Sequence, residues 1–229
     1  MNDPQLNVMW RSVGPAASPN CRAIIQKNKD NNAIFTGSIL LTSPAIVAAQ
    51  ERSATMTIDL SAWERHIILP DGSGIFVRPI KPDDQQLYAK FFELETPDDI
   101  RFRFFGPVKR RDPAFFSRFT NIDYATAMAF IALDESSGDM LGVARLHDDA
   151  SDGSGEYAIV VRSDHKSHGL GWHLMQMLIE YGRAKKLRAI KGQVLYENKA
   201  MLHMCRDFGF SISPAPNAAD VCNVELKLI

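Results

Sequence analysis

The pattern of hydrophobic and polar residues changes near residue 55 of this chain. Residues 1–53 show no sustained periodicity, and they are rich in Asn, Ser, Pro and Ala. A segment of this kind buries too little apolar surface to offset the entropy that is lost on ordering. We therefore predict that residues 1–55 are a disordered or weakly ordered N-terminal extension, with Met56 as a candidate translation start.

Strand and helix signals alternate after residue 70. The apolar run IFVRPI follows a DGSG turn and ends at Pro79, which is typical of a strand. Asp83, Thr96 and Asp112 each precede a segment with helical spacing, and the last two are followed by proline. Side chains of these types cap helices, and proline is favoured at the first helical position. We expect a helix to begin after each of the three residues.

The second half of the chain predicts a mixed sheet. Three strand-like runs begin at Ala125, Met140 and Gly155, and the short polar turns between them favour an antiparallel meander. The pattern then predicts a helix from Leu170, a strand over 189–195, a helix that ends near Gly209 and a final strand over 221–229. This order predicts an α+β fold with a mixed sheet covered by helices.

Composition narrows the functional classes. Apolar residues make up 45% of the chain, charged residues make up 23%, and the formal net charge is −1. A soluble globular protein has this balance, and no basic field draws the chain to nucleic acid or to an anionic membrane. Three cysteines argue against a disulfide framework and favour a reducing, cytoplasmic location. The apolar stretch 33–50 leaves export or membrane anchoring as the alternative.

A glycine pair at the start of the helix from Leu170 predicts an anion site. The segment Lys166-Ser167-His168-Gly169-Leu170-Gly171 joins a strand to this helix. The first N–H groups of a helix lack internal partners, and glycine allows an anion to approach the backbone closely. A dinucleotide fingerprint fails because Leu174 occupies the position of its third glycine. A tight strand-to-helix junction without a ligand remains the alternative.

These segments together resemble the GNAT acetyltransferases. The 166–171 spacing resembles their acyl-CoA pyrophosphate loop, VRPIKPDD over 77–84 resembles their first strand and turn, and ENKAMLHMCRDFGF over 197–210 resembles their second CoA-contacting segment. The resemblance covers residues 70–229 and is strongest to the acetyltransferase domain of bacterial protein lysine acetyltransferases. It implies a GNAT-like, mostly antiparallel twisted sheet flanked by helices, with acetyl-CoA as the cosubstrate.

The resemblance also implies residues that hold acetyl-CoA. The diphosphate is expected on the loop, and an oxyanion is expected near the backbone of the strand that precedes the loop. Asn198 is expected near the pantetheine and phosphate arm. A helix N-cap is the alternative role for this side chain, and the two roles are compatible. The implied cofactor-binding residues are Ile159, Val160, Val161, Lys166, Ser167, His168, Gly169, Leu170, Gly171, Trp172 and Asn198.

Two residues are candidates for proton transfer. Glu156 lies among apolar residues in the strand before the loop, which should raise its pKa, and the resemblance implies that it is the catalytic base. Cys205 occupies the position where many relatives carry a tyrosine acid, seven residues after the asparagine. A thiol can donate a proton at neutral pH, but a small buried hydrophobe is the simpler interpretation of Cys205.

Other side chains are less informative. His165, His168 and His173 match no common zinc spacing, so we predict no metal site. The aromatic residues Phe102, Phe104 and Phe105 are expected in the core or at the wall of an acceptor cleft.

The sequence thus predicts an N-acetyltransferase that moves an acetyl group directly from acetyl-CoA to an amine. A protein lysine is the preferred acceptor, and a small-molecule amine is the alternative. A non-catalytic acyl-CoA sensor is the hypothesis from another class.

Overall fold

One mixed sheet organises the part of the chain that the structure describes. The structure is a computed structural model, and it describes residues 59–108, 112–216 and 218–229. The prediction for residues 1–55 lies outside these ranges. Across the described residues, no helix has both the length and the apolar character that crossing a bilayer requires.

Thirteen helices and strands, with three short 3₁₀ turns, make up these residues. The strands are β1 Arg65–Ile68, β2 Gly74–Pro79, β3 Ala127–Asp134, β4 Met140–Asp149, β5 Ser154–Val161, β6 Ala189–Leu195, β7 Ser211–Ala215 and β8 Ala218–Lys227. The helices are α1 Gln85–Glu93, α2 Pro97–Phe104, α3 Pro113–Thr120, α4 Leu170–Ala184 and α5 Lys199–Asp207. The 3₁₀ turns are Leu60–Trp63, Pro82–Asp84 and Ser163–His165.

The sheet order is β1-β2-β3-β4-β5-β6-β8-β7 within the described residues. Strands β5 and β6 are parallel, and the other neighbours are antiparallel. This arrangement confirms the predicted α+β class, with a mostly antiparallel sheet flanked by helices. The meander β3-β4-β5 is also confirmed, with strands that differ from the prediction by one or two residues.

The parallel pair separates soon after it forms. Only Ser154–Glu156 of β5 is paired with Ala189–Lys191 of β6, although both strands continue for several more residues. Beyond Glu156, the backbone groups of β5 that face β6 therefore have no ladder partner. A sheet that opens in this way leaves polar backbone exposed to whatever enters the gap.

Two hydrophobic clusters cover the two faces of the sheet. On one face, α4 and α5 pack on residues that include Tyr157 and Val161 of β5. On the other face, aromatic residues of α1 and α3 pack on β3 and β4, and Val160 of β5 contacts this cluster. Successive strand residues point to opposite faces, so Glu156, Ala158 and Val160 lie on the α1–α3 side. The direction of each β5 side chain follows from this alternation.

Local sequence signals explain most of the helix ends. The Thr96 hydroxyl accepts a hydrogen bond from the Asp99 N–H at 3.3 Å, and Asp112 accepts from the Phe115 N–H at 2.9 Å. Both caps are as predicted. The predicted cap at Asp83 is wrong, because Pro82–Asp84 forms a 3₁₀ turn and Asp84 precedes α1. The Asp84 carboxylate turns back to the Lys81 N–H at 2.6 Å.

Two strands were not predicted as separate elements. Strand β1 has only four residues, all at least partly exposed, so its apolar pattern is too weak to identify from sequence. Strand β7 is also short and mostly exposed, and it pairs with β8 at the edge of the sheet. Edge strands of this kind carry little hydrophobic periodicity because one side of each faces solvent.

Asp84 forms a buried ion pair that fixes the start of α1 against β2. Its carboxylate accepts two hydrogen bonds from Arg78, at 2.6 and 2.7 Å, and the side chains are only 10% and 13% exposed. Burial raises the pKa of Asp84, but the bonds from Arg78 and Lys81 outweigh it and hold this pKa below its ordinary value.

We therefore expect Asp84→Asn to destabilise the protein by about 3 kcal/mol, because Arg78 would lose its buried counterion. Urea unfolding at pH 7 measures this loss. The neighbouring Asp83 is exposed, so Asp83→Asn should change the stability by less than about 0.5 kcal/mol. The loss should shrink as the pH falls below about 4, where the carboxyl is protonated in the unfolded chain, and then through the lower pKa of folded Asp84. Equal losses in both variants would contradict the role of this ion pair.

Candidate active site

The segment Lys166–Trp172, here called the phosphate loop, connects β5 to α4. Helix α4 begins at Leu170, as predicted, and Gly169 before it has a φ of 91°. Ser167 has a φ of 65°, which is uncommon for a residue with a side chain and costs about 1 kcal/mol or more. Backbone held in this region is characteristic of ligand sites.

The N–H groups at the start of α4 are available to a ligand. Those of Gly169, Leu170 and Gly171 donate to no described acceptor, whereas the Trp172 and His173 N–H groups bond to the Gly169 carbonyl. A Cβ built at Gly171 would contact only a Val161 methyl, at 3.6 Å, so this side of the helix start is open. Unpartnered N–H groups at the positive end of a helix dipole fit a diphosphate.

Lys166 is held by α2 rather than free. Its ammonium group forms a salt bridge with Asp99, whose side chain is 5% exposed. Asp99 also accepts hydrogen bonds from the Ser163 hydroxyl and, at 2.7 Å, from the Thr96 hydroxyl. The side chain that was predicted to donate to a cofactor therefore joins the phosphate loop to α2.

The phosphate loop is also tied to the β1–β2 turn. His168 Nδ1 lies 2.8 Å from an Asp71 carboxylate oxygen. Together with the Asp99 contacts, this interaction fixes the loop from both sides. His165 contacts Arg162 at 2.8 Å, and no group of three metal-ligating side chains is found within the described ranges.

Asn198 lies at the start of α5, across the gap between β5 and β6. Its side-chain oxygen accepts a hydrogen bond from the Met201 N–H at 3.1 Å, so the N-cap interpretation is confirmed. The preceding Glu197 forms a salt bridge with Arg101 of α2. Helix α2 thus forms ion pairs with residues at both sides of the gap, Lys166 and Glu197.

The predicted oxyanion segment Ile159–Val161 lies along this gap. It belongs to the part of β5 that has left β6, while its other edge still pairs with β4. Val160 faces the α1–α3 side, and Ile159 and Val161 face the α4 side. The segment therefore presents unpaired backbone to the gap and side chains to both faces.

Glu156 is the last β5 residue that pairs with β6. Its neighbours in the sheet are His147 of β4 and Lys191 of β6, and its side chain is exposed. Partial burial of the carboxyl raises the pKa of Glu156, and the positive charges of Arg103 and His147 partly oppose this rise. A carboxylate with a raised pKa at the point where two strands separate is a suitable proton acceptor.

Cys205 is enclosed in the core on the α4–α5 side. Its exposed fraction is zero, and its sulfur lies 3.1 Å from the Tyr157 hydroxyl. Burial raises the pKa of the Cys205 thiol. These contacts favour the small buried hydrophobe over the general acid. Trp172, by contrast, is 46% exposed and packs on Phe208 with ring centroids 4.5 Å apart.

Sequence reasoning did not identify the contacts of three charged residues near this site. The contact of Asp99 with Lys166 joins residues 67 positions apart. Arg103 stacks on Phe104, with its guanidinium carbon 5.0 Å from the ring centroid. Glu95, between α1 and α2, is buried. Their positions depend on tertiary packing, so no local sequence pattern marks them.

Comparison with known proteins agrees with this geometry. Residues 89–210 match the model of the acetyltransferase (GNAT) family. The chain is 29% identical over 164 residues to acetyltransferase PA5475 of Pseudomonas aeruginosa. This match covers 71% of this chain and 87% of that protein. It is also 32% identical over 87 residues to the L-methionine sulfoximine/L-methionine sulfone acetyltransferase of P. aeruginosa, covering 36% of this chain and 51% of that protein.

A solved structure has the same fold. The GNAT domain of S. lividans PAT superposes with a TM-score of 0.67 at 24% identity, covering 73% of this chain and 98% of that domain. The matched family segment contains α2, the separating strands and the phosphate loop. The chain therefore belongs to the acetyltransferase (GNAT) family, and it is an acetyltransferase that uses acetyl-CoA.

Proposed function

We propose that this protein transfers the acetyl group of acetyl-CoA to the side-chain amine of a protein lysine, with Glu156 as the general base. The observation that carries the proposal is the position of Glu156. It stands where β5 and β6 separate, on the strand that leads directly into the phosphate loop. A donor bound along the unpaired edge of β5 would bring its thioester toward this carboxylate.

Different residues of the chain would bind acetyl-CoA and transfer the proton. The N–H groups of Gly169, Leu170 and Gly171 would bind the diphosphate, and the unpaired edge of Ile159–Val161 would bind the acyl arm. Glu156 would remove a proton from the amine as the nitrogen attacks the thioester carbonyl. Because a lysine amine has a reference pKa of about 10.4, it is an ammonium ion near pH 7, and its nitrogen must also lose that proton before it can attack.

Three features support a protein acceptor. The phosphate loop, the α2 segment and the closing helix resemble those of bacterial protein lysine acetyltransferases. Nearly the whole GNAT domain of S. lividans PAT is covered by the match. The side chain of Glu156 is also exposed, so it is accessible to a lysine on another protein.

A small-molecule amine is the second candidate acceptor. The sequence relative from P. aeruginosa that is named for L-methionine sulfoximine and L-methionine sulfone supports it, over about half of that protein. The aromatic side chains of α1 and α2 near β5 would suit the apolar part of a small amine.

The acceptor can be identified with the full chain and acetyl-CoA. We expect new acetyl-lysine peptides when the protein is incubated with a proteome extract and the digest is analysed by mass spectrometry. A parallel panel of small primary amines, including L-methionine sulfone, is assayed by release of the CoA thiol. Thiol release with a small amine and no new acetyl-lysine would reject the protein acceptor in favour of the second candidate.

The base role predicts the effect of Glu156→Gln. The rate of acetyl transfer should fall about 100-fold or more, since general-base catalysis contributes about 10² to 10⁴. Affinity for acetyl-CoA, measured by calorimetry, should not change. In the wild type, activity should fall as the pH drops through a value above the ordinary pKa of glutamate.

Glu64→Gln is the matched control, because this glutamate is exposed and lies outside the site. A wild-type rate in the Glu156→Gln protein would exclude Glu156 as the base.

The two glycines of the phosphate loop predict opposite effects on stability. Gly169→Ala should lower the melting temperature, because a residue with a side chain is strained at a φ of 91° by about 1 kcal/mol. Gly171→Ala should leave it unchanged or raise it, since alanine is favoured in helices and the new methyl has room.

The same Gly171→Ala methyl should weaken acetyl-CoA binding about tenfold or more, because it keeps the diphosphate from N–H groups whose charged hydrogen bonds contribute about 1.5–3 kcal/mol. Calorimetric titration with acetyl-CoA tests this. A variant of normal stability and normal affinity would show that the diphosphate binds elsewhere.

A further inference from the structure

Glu95 is a buried carboxyl group without a hydrogen-bond partner. It lies between α1 and α2, its exposed fraction is 9%, and neither of its oxygens accepts or donates a hydrogen bond within the described part of the chain. Burial of a carboxylate without partners is destabilising, because hydration is lost and nothing replaces it. A side chain retained under these conditions calls for a role other than stability.

Glu95 lines a pocket on the α1–α3 side of the sheet, here called the acceptor-side pocket. The pocket has an empty volume of about 240 Å³, which includes its part open to solvent. Its walls are formed by Tyr88, Phe91, Phe92, Glu95, Asp99, Ile100, Arg103, Phe104 and Val160. Most of these side chains are apolar, and the charged ones are Glu95, Asp99 and Arg103.

The acceptor-side pocket is related to Glu156 through β5. Val160 follows Glu156 by four residues and faces the same side of the sheet, about 13 Å further along the strand. The two carboxyl groups therefore lie on one side of the sheet. Arg103 lines the pocket of Glu95, its positive charge acts on Glu156, and it forms no hydrogen bond to a described group.

The charged groups that face Glu95 are already engaged. Lys166, from the phosphate loop, pairs with Asp99, and Arg162 bonds to Asp164 at 2.7 Å. Burial raises the pKa of Glu95 to about 7, with Lys166 and Arg162 opposing the rise and Asp164 adding to it. The other ionisable groups of the pocket are Tyr88 of α1 and two residues of α2, Asp99 and Arg103. Two carboxyls in such different surroundings are suited to different proton-transfer steps.

The amine nitrogen loses two protons in the proposed reaction, and the departing CoA thiolate can take up only one of them. An amine that arrives as an ammonium ion loses one proton before attack and a second when the tetrahedral adduct collapses. The nitrogen–carbon bond forms, the carbon–sulfur bond breaks, one proton ends on the CoA thiol and the other passes to solvent. Glu156 accounts for one of these transfers.

We propose that Glu95 is the second proton acceptor, which takes the first proton from the incoming ammonium group directly or through water in the acceptor-side pocket. This inference rests on the proposed function. It adds a second ionisable group to the site and places the path of the first proton in the acceptor-side pocket. The proton then leaves Glu95 for solvent before the next cycle.

The test compares Glu95→Gln with the wild type over pH 5.5–10. The probes are a lysine-containing peptide and the small-amine panel, assayed by release of the CoA thiol. We expect kcat/KM at pH 7.5 to fall about 10- to 100-fold and the acidic limb near pH 7 to disappear. The difference should narrow above about pH 9, where the amine increasingly loses its proton unaided. Acetyl-CoA affinity should not change, and Glu95→Asp should restore part of the rate.

A second measurement, protein stability as a function of pH, tests the ionisation of Glu95 independently of acetyl transfer. The pKa of Glu95 is higher in the folded protein than in the unfolded chain, so wild-type stability should fall as the pH rises through about 4.5–7. Glu95→Gln lacks this loss, and its melting temperature should therefore exceed that of the wild type increasingly from pH 5.5 to 8.5. Glu93→Gln, an exposed site on the same segment, is the control in both experiments.

The possible outcomes separate the two proposals. An active wild type whose pH profile is unchanged in Glu95→Gln would overturn the role of Glu95 and leave the proposed function standing. An equal loss of rate at every pH would also overturn it, because it indicates a structural effect. A wild type that transfers acetyl groups to no peptide and no small amine would remove the proposed function and this inference with it.

Discussion

The site depends on the short pairing between β5 and β6. Parallel strands normally continue their hydrogen bonds along their common length, but here the ladder ends at Glu156 and Lys191. The unpaired edge of β5 must find other hydrogen-bond partners, since exposed backbone groups in a sheet are energetically unfavourable without them. The same separation places a carboxylate at the closed end of the gap and the phosphate loop at its open end. A single change in strand pairing thus positions both the proposed base and the proposed diphosphate site.

Helix α2 connects the parts that surround this gap. Asp99 forms a salt bridge with Lys166 of the phosphate loop, Arg101 forms one with Glu197 beside α5, and the charge of Arg103 acts on Glu156. These side chains all come from one eight-residue helix, whose last four residues alternate arginine and phenylalanine. Asp99 is buried, and its salt bridge and hydrogen bonds join the phosphate loop to α2. Asp99 also lines the acceptor-side pocket, so one side chain contacts both the phosphate loop and this pocket.

The electrostatics of the site come from unequal burial of similar groups. Glu156 lies between β4 and β6 and close to the positive charge of Arg103, whereas Glu95 is enclosed by aromatic rings with its cationic neighbours already paired. Asp99 is equally buried but satisfied, which explains why it acts as a structural acceptor. Cys205 is enclosed with Tyr157 on the opposite face. The environment of each group, more than its residue type, determines which of them can exchange protons.

The sequence by itself determined the class of fold, the order of most strands and helices, the caps at Thr96, Asp112 and Asn198, and the loop that suits a diphosphate. Those features depend on local periodicity and on the conformational preferences of single residues, which act over a few positions. The same local signals misplaced the cap of α1, because the Asp84 carboxylate accepts a hydrogen bond from Arg78, which lies on the preceding strand β2. Only the tertiary structure decided that Lys166 pairs with Asp99, that Glu95 is buried without a partner and that the ladder between β5 and β6 ends at Glu156. Each of these joins residues that are distant in the chain, and burial and charge pairing between such residues are set by packing, which no short segment encodes.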